Sequence, residues 1–116
     1  MIEEEFTKLF KEMQKAEEDL MFSKGVEYTQ GDFAKDRLAN FYRPGKELNL
    51  DPKKVCWIYL KKHLDSIVCF IKNNKIYSDE SIEGRIHDAR NYLALLLAII
   101  KEQENKKSLT EGKEYE

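Results

Sequence analysis

Apolar residues recur along most of the chain at spacings of three and four, which is the period of one face of an α-helix. In the first segment this spacing predicts a helix over about residues 2–22, with Gly25 as its C-terminal cap. A short second helix is predicted over about residues 33–42, where Pro44-Gly45 stops it. The positions that set the first repeat are Ile2, Phe6, Leu9, Met13, Ala16 and Leu20.

Two further helices each carry two adjacent lines of apolar residues. The third helix is predicted to begin at Asp51-Pro52, because Asp caps first-turn amides and the missing N–H of proline costs nothing at the first helical position. It is predicted to break at Asn73-Asn74, and the last helix begins near Ser78 or Ser81. The main line of the third helix is Trp57, Leu60, Leu64, Ile67, Val68 and Ile71, and its second line is Cys56, Tyr59, His63 and Phe70. The main line of the last helix is Ile82, Ile86, Ala89, Leu93, Leu96 and Ile100, and its second line is Tyr92, Leu95 and Ile99.

Three long helices and one short helix predict an all-α protein that folds as a small helical bundle. Residues 1–104 form a single helical domain in this prediction. Residues 105–116 are charged and lack periodicity, so they are expected to form a flexible tail. Because two helices are apolar on two adjacent lines, one line is available to the core and the other to a partner copy. We therefore expect a homo-oligomer, a dimer or a higher assembly.

Composition and charge narrow the class of protein. Apolar residues make up 41% of the 116 residues and charged residues 36%, the mix expected of amphipathic helices with charged outer faces. The net charge of -2 provides no positive field, so no specific nucleic-acid partner is expected. No run of 18 apolar residues occurs and the N-terminus MIEEEFTKLF is acidic, which predicts a cytoplasmic protein without a membrane partner. Cys56 and Cys69 lie too far apart on one predicted helix to form a disulfide.

The stretch DESIEGRIHDARNY, residues 79–92, holds more polar residues than a bundle helix requires. Glu83 and His87 share a helix face, and this pair is expected to lie on the plain surface. Arg85, Asp88 and Asn91 are expected to face a cleft instead. On the third helix His63 and Asp65 lie within KKHLDSI, and antiparallel packing would bring both towards Asp88 and Asn91. The alternative is a solvated helix face, whose salt bridges contribute under ~1 kcal/mol each.

Four segments carry a family resemblance, namely KGVEY, DRLANF, YLKKHLDSI and IEGRIHDARNYLALL. Together they resemble small phage and prophage proteins of the nucleotide-modification-associated domain type, a family that is itself similar to the all-α nucleotide pyrophosphatases of the MazG and dimeric dUTPase type. The resemblance implies a helical, often oligomeric fold and a nucleotide-related ligand. Those pyrophosphatases hold magnesium with ExxE and ExxD pairs. Here Glu83 precedes Asp88 by five residues and Asp65 is the single acid of its segment, so the full set of four carboxylates is not visible.

Three hypotheses follow. In the first, a phage-type anti-defence protein, cytoplasmic in its host cell, binds a nucleotide or a cyclic-nucleotide signal and sequesters it without a cofactor. In the second, a magnesium-dependent nucleoside triphosphate pyrophosphohydrolase uses Asp65, Glu83 and Asp88 as metal ligands. In the third, a non-catalytic module inhibits a host defence protein through its acidic first helix. The ligand-binding residues of the first hypothesis are Lys24, Tyr28, Arg37, Asn40, Lys62, Asp65, Arg85, Asp88 and Asn91.

Overall fold

The computed structural model describes residues 1–31 and 35–115, with side chains described as far as residue 107. Within these ranges the chain forms four α-helices and no strand, which confirms the all-α prediction of three long helices and one short one. No helix in the described ranges is long and apolar enough to cross a membrane. The helices are α1 (Glu3–Tyr28), α2 (Ala39–Leu48), α3 (Pro52–Asn73) and α4 (Ile82–Tyr115).

Helix α1 is longer than the sequence predicts, because Gly25 lies inside it and does not cap it. The amide of Thr29 donates to the carbonyl of Gly25 at 3.1 Å, and the Thr29 hydroxyl donates to the same oxygen at 2.7 Å. The chain turns only afterwards, at Gln30 and Gly31, which have φ values of 55° and 77°. Gly25 instead permits a close approach, since a Cβ atom there would lie 3.2 Å from Nε of Arg37.

The predicted stop of the second helix at Pro44-Gly45 is wrong, because α2 continues through both residues to Leu48. The predicted start near residue 33 lies outside the described residues. Proline removes one backbone donor within α2, and the helix closes further along, where Asn49 adopts a left-handed conformation and donates to the Gly45 carbonyl. Gly45 is buried, and a Cβ atom there would lie 2.6 Å from the Leu50 carbonyl oxygen, so glycine is required by the tight turn into α3.

Both predicted ends of α3 are confirmed. Asp51 caps its start by accepting a hydrogen bond from the Lys53 amide at 2.9 Å, and Asn74 ends it in a left-handed conformation.

Helix α4 continues eleven residues past the expected end at Glu104. The extra segment contains three Lys and two Glu, which favour helix, and Lys106 at its start pairs with Glu102 one turn earlier. A flexible tail over residues 105–116 stays a prediction.

The core lies where α2, α3 and α4 meet. Its fully buried side chains are Cys56 and Leu60 of α3 and Ile99 of α4, with Phe41 of α2 beside them. The second lines of α3 and α4 thus contribute directly to the core. The main lines are buried only in part, because Leu60 and Ala89 are buried whereas Trp57 and Leu93 are 49% and 50% exposed. The main and second apolar lines both have the period of a helix, and the position of α2 determines which line is buried.

We predict that Leu60→Ala lowers the free energy of unfolding by about 2–5 kcal/mol, because it opens a cavity in a fully buried position. The matched control is Ile58→Ala, two residues away on the same helix and exposed, which should change stability by no more than about 0.5 kcal/mol. Urea denaturation followed by circular dichroism measures both. Equal losses in the two variants would contradict the assignment of the core.

Candidate functional site

A pocket of about 360 Å³ opens between the second half of α1, α2 and the facing sides of α3 and α4. Its volume lies at the lower end of the range for small-molecule sites, about 300–1,000 Å³. All four helices and the connection before α2 contribute side chains. The lining residues are Met21, Lys24, Tyr28, Arg37, Asn40, Phe41, Arg43, Pro44, Tyr59, Asp88, Asn91, Tyr92 and Leu95.

Aromatic rings form one wall of this pocket. Tyr59 of α3 and Tyr92 of α4 stack with ring centres 6.2 Å apart and an interplanar angle of 18°. Phe41 of α2 meets both edge-on, at 6.1 Å from Tyr59 and 6.4 Å from Tyr92. Since these rings are packed against one another, the wall is rigid and presents apolar surface to a ligand.

Positive charge lines the rest of the pocket. Lys24, Arg37 and Arg43 supply three cations, and Asp88 supplies the one carboxylate among the lining residues. The Lys24 ammonium lies 3.2 Å from Oδ1 of Asp88. Arg37 lies over the ring of Tyr28, 5.3 Å from its centre, in a cation–π contact. Among the salt bridges of the described part of the chain, none involves Arg37 or Arg43, so both arginines face the pocket without an acidic partner.

Asp88 also connects the pocket to a second layer of polar residues. Oδ2 of Asp88 lies 3.9 Å from Nδ1 of His63, which in turn lies 3.4 Å from Nη1 of Arg85. The imidazole stacks on Tyr92 with ring centres 5.3 Å apart. Burial lowers the pKa of His63, the nearby charge of Asp88 opposes this shift and that of Arg85 reinforces it. A neutral His63 therefore accepts from Arg85 at Nδ1, while Lys24 is the closest cation to the Asp88 carboxylate.

Glu17 of α1 is a residue that the sequence analysis missed. It is the one buried residue in α1, and its carboxylate accepts from Nε of Arg90 at 2.7 Å and lies 2.9 Å from Nδ1 of His87. The Asn91 amide donates to the backbone carbonyl of Glu17 at 3.3 Å. The expectation that His87 lies on the plain surface is therefore wrong, because His87 is half-buried against Glu17. We call Glu17, His87, Arg90 and Asn91 the Glu17 cluster.

This cluster fixes the place at which α1 meets α4. Phe10, Glu17 and Lys24 span four turns of α1, yet they all contact the short segment 87–91 of α4. Two helices whose contacts converge in this way cross steeply. The inward residues of α1 after the crossing are Met21, Lys24 and Tyr28, and each of them lines the pocket. The sequence did contain a signal for Glu17, because Glu17 lies four residues from both Met13 and Met21. This spacing places the acid on the inward face of α1.

The structure brings together six of the nine predicted ligand-binding residues and leaves three outside. Lys62 and Asp65 are exposed on α3, where Asp65 pairs with Lys61, so the expected approach of Asp65 to Asp88 is wrong. Arg85 lies behind His63 and does not line the pocket. The six residues that do line it are Lys24, Tyr28, Arg37, Asn40, Asp88 and Asn91.

The carboxylates proposed as metal ligands lie in separate places. Asp88 lies in the pocket, Asp65 faces outward on α3, and Glu83 lines a groove on another side of α4 together with Leu9 and Met13 of α1. In the part of the chain that the structure describes, no group of three or more His, Cys, Asp or Glu residues is placed to hold a metal ion.

Arg43, Tyr59 and Tyr92 line the pocket but were not among the predicted site residues. Arg43 was placed just past the predicted end of the second helix, and the continuation of α2 is what brings it to the pocket. The two tyrosines were placed in the second apolar lines of α3 and α4, and in the structure both pack against other rings and line the pocket. No family model matches the chain, and neither does any curated protein or solved structure.

We predict that Glu17→Ala detaches α1 from α4, because it leaves Arg90 and His87 without their shared carboxylate. Hydrogen exchange of the backbone amides of α1 should become faster while exchange in the core of α3 changes little. The matched control is Glu18→Ala, since Glu18 is the next residue and is exposed. Unchanged protection of α1 in Glu17→Ala would show that something other than this cluster holds the helix.

A second prediction concerns pH. Because the pKa of His63 is lower in the folded chain than the ordinary value of 6.5, the unfolded chain binds more protons, and stability rises with pH across this window. The stability that the neutral His63 provides is fully present above pH 6.5. It is lost as the pH falls through the lower pKa that His63 has in the folded chain. The melting temperature should therefore fall less between pH 7.5 and pH 5 in His63→Gln than in the unaltered chain, as measured by circular dichroism. An equal fall in both proteins would mean that His63 titrates normally.

Proposed function

We propose that the pocket binds a small anionic ligand that carries a planar ring, of the nucleotide class. The observation that carries this proposal is the pair Arg37 and Arg43, which line an aromatic-walled pocket and form no salt bridge within the described part of the chain. Guanidinium groups match phosphate oxygens in a two-point geometry, so arginines left unpaired in a pocket favour a phosphate ligand.

The aromatic residues support the planar part of the ligand. Tyr28 lies under Arg37, and the packed rings of Phe41, Tyr59 and Tyr92 form the wall described above. Stacking of a nucleobase on an aromatic side chain contributes about 1–3 kcal/mol. The polar edge of a base requires donors and acceptors, and Asn40 and Asn91 supply both at the pocket surface.

Volume and charge limit the size of the ligand. A pocket of about 360 Å³ suits a single nucleotide better than a polymer. Lys24 is already held by Asp88, so a phosphate would draw on Arg37 and Arg43 first and compete with Asp88 for Lys24. This balance favours a ligand with one phosphate or a cyclic phosphate over a triphosphate.

The proposed role is binding. A protein that holds one nucleotide in a small pocket can lower the free concentration of that nucleotide, and this is how a phage-type anti-defence protein would withdraw a signalling nucleotide from its host. The resemblance of KGVEY, DRLANF and the helix pair to nucleotide-associated phage proteins points to the same ligand class.

A thermal-shift screen tests the proposal. Purine and pyrimidine nucleoside monophosphates and cyclic nucleotides are compared with the matching nucleosides, with and without magnesium. A ligand at 100 times its dissociation constant stabilises the fold by about 2.7 kcal/mol, which raises the melting temperature by several degrees in a domain of this size. We expect a nucleotide to produce the shift and its nucleoside to produce little or none.

Two variants connect the shift to the pocket. Arg37→Gln and Arg43→Gln should each reduce or abolish it, because each removes one unpaired cation. Lys62→Gln is the matched control, since Lys62 is exposed on α3 and lies outside the pocket. Circular dichroism confirms that each variant is folded. The proposal is wrong if no nucleotide shifts the wild-type protein, or if the shift survives both arginine substitutions.

A further inference from the structure

The ion pair of Lys24 and Asp88 presents hydrogen-bonding groups to the pocket in a fixed order. The Lys24 ammonium lies 3.2 Å from Oδ1 of Asp88, and both side chains line the pocket. Oδ2 of Asp88 lies 3.9 Å from Nδ1 of His63, which is too far for a hydrogen bond. Within the residues that the structure describes, Oδ2 accepts no hydrogen bond. Along this edge of the pocket the order is therefore a donor, an acceptor and a second acceptor.

Oδ2 of Asp88 makes a demand on any ligand that fills the pocket. The side chain of Asp88 is 13% exposed, so its carboxylate is largely withdrawn from solvent. A carboxylate oxygen that loses its remaining contact with solvent is costly unless a donor replaces that contact. A ligand that lies against Asp88 must therefore bring its own N–H groups.

The cations of the pocket give the phosphate of a nucleotide a different place to bind. Arg43 lies in α2 and Arg37 lies just before it, whereas Asp88 lies in α4. Among the described salt bridges, none joins either arginine to Asp88. Because a carboxylate repels a phosphate, the phosphate would lie near the arginines and the base would lie towards Asp88 and Lys24.

The pairing edges of the nucleobases differ in how well they match this order of groups. Guanine carries an acceptor at O6, then a donor at N1–H, then a second donor at its 2-amino group, so all three positions match. Adenine and cytosine carry an acceptor nitrogen in the middle of the edge, which would face Oδ1 of Asp88. Uracil and thymine have the middle N–H but carry a carbonyl on each side of it, so one carbonyl would face Oδ2.

We propose that the pocket selects guanine nucleotides and that Asp88 determines this specificity. In this arrangement the Asp88 carboxylate accepts from N1–H and from the 2-amino group of guanine, and the Lys24 ammonium donates to O6. The inference rests on the proposed function, because it names the base of the nucleotide that the pocket binds.

Purines that differ at one position measure the contact with Oδ2. A hydrogen bond to a charged group is worth about 10- to 100-fold in affinity. Hypoxanthine differs from guanine only in lacking the 2-amino group, so the hypoxanthine nucleotide loses this contact. Xanthine carries a carbonyl at the same position, which would face Oδ2 directly, so its nucleotide suffers repulsion as well.

Isothermal titration calorimetry of the full chain tests the selectivity. The 5′-monophosphates of guanine, hypoxanthine, xanthine, adenine, cytosine and uracil are compared, and cyclic GMP is compared with cyclic AMP. We expect GMP to bind at least about tenfold more tightly than the hypoxanthine nucleotide and more tightly than the others. If nucleotides bind and another base equals guanine, the guanine selectivity is wrong while the proposed function stands. If no nucleotide binds, both are wrong.

An exchange of specificity then identifies Asp88. In Asp88→Asn the amide oxygen stays beside Lys24, because the amide nitrogen would face the ammonium, so the nitrogen takes the place of Oδ2. This nitrogen donates to the 2-carbonyl of xanthine and faces the 2-amino group of guanine. The variant should therefore bind the xanthine nucleotide more tightly than GMP, which reverses the order of the unaltered chain.

Asp65→Asn is the matched control, since Asp65 is exposed on α3 and lies outside the pocket. It should keep the preference for GMP. A structural role of Asp88 would lower the affinity of every nucleotide in Asp88→Asn without exchanging guanine and xanthine, and that result would overturn the assignment. If Asp88→Asn is unfolded by circular dichroism, the comparison of GMP with the hypoxanthine nucleotide decides, because it needs no variant.

Discussion

The carboxylate of Glu17 is the contact on which the shape of the molecule depends. Most of α1 is exposed, and this acid is the one residue that the helix buries. A buried carboxylate is costly unless its charge is compensated; Arg90 supplies the opposite charge, and Nδ1 of His87 lies within hydrogen-bond distance. Because these partners occupy a single turn of α4, α1 has one position in which the acid is satisfied. That position puts Lys24 and Tyr28 at the pocket, so the geometry of the binding site follows from an ion cluster outside it.

Inside the pocket, the pairing of Asp88 with nearby cations determines which positive charges are available to a ligand. Asp88 holds Lys24 on one side and lies near a neutral His63 on the other. Within the described residues Arg37 and Arg43 form no salt bridge, so an anion that entered the pocket would meet them without breaking one. Arg37 lies over Tyr28, so the side chain that would meet a phosphate under the proposed function is held in place by a ring. Preorganisation of this kind lowers the entropic cost of binding.

The sequence predicts the helical fold because the signals for it depend on local chemistry. Asp51-Pro52 starts a helix through a side-chain cap, and Asn74 ends one through a left-handed turn; neither needs a distant partner. Lys24 and Asp88 were predicted as site residues, and they meet because α1 crosses α4 near residue 88. The predictions that were wrong concern features that depend on contacts between residues distant in sequence.

The failures have identifiable physical causes. Gly25 reads as a helix cap, but it lies inside α1 and close to the Arg37 side chain, and no local pattern encodes that approach. Pro44 reads as a stop, yet α2 continues past it to Leu48 with one backbone donor fewer. Each of α3 and α4 carries two apolar lines with the period of a helix. Only the position of α2 determines which line is buried. Glu17 was missed because its partners lie about seventy positions away in sequence, although its spacing from Met13 and Met21 placed it on the inward face of α1.

Burial of Cys56 between α3 and α4 has a consequence for the chemical behaviour of the chain. The thiol is fully buried, and burial raises its pKa to about 11. At neutral pH only about one molecule in ten thousand carries the thiolate there, and the thiolate is the reactive form. Cys69, further along the same helix, is partly exposed. Thiol reagents should therefore modify the native protein at Cys69, and modification of Cys56 would report how often the two central helices separate.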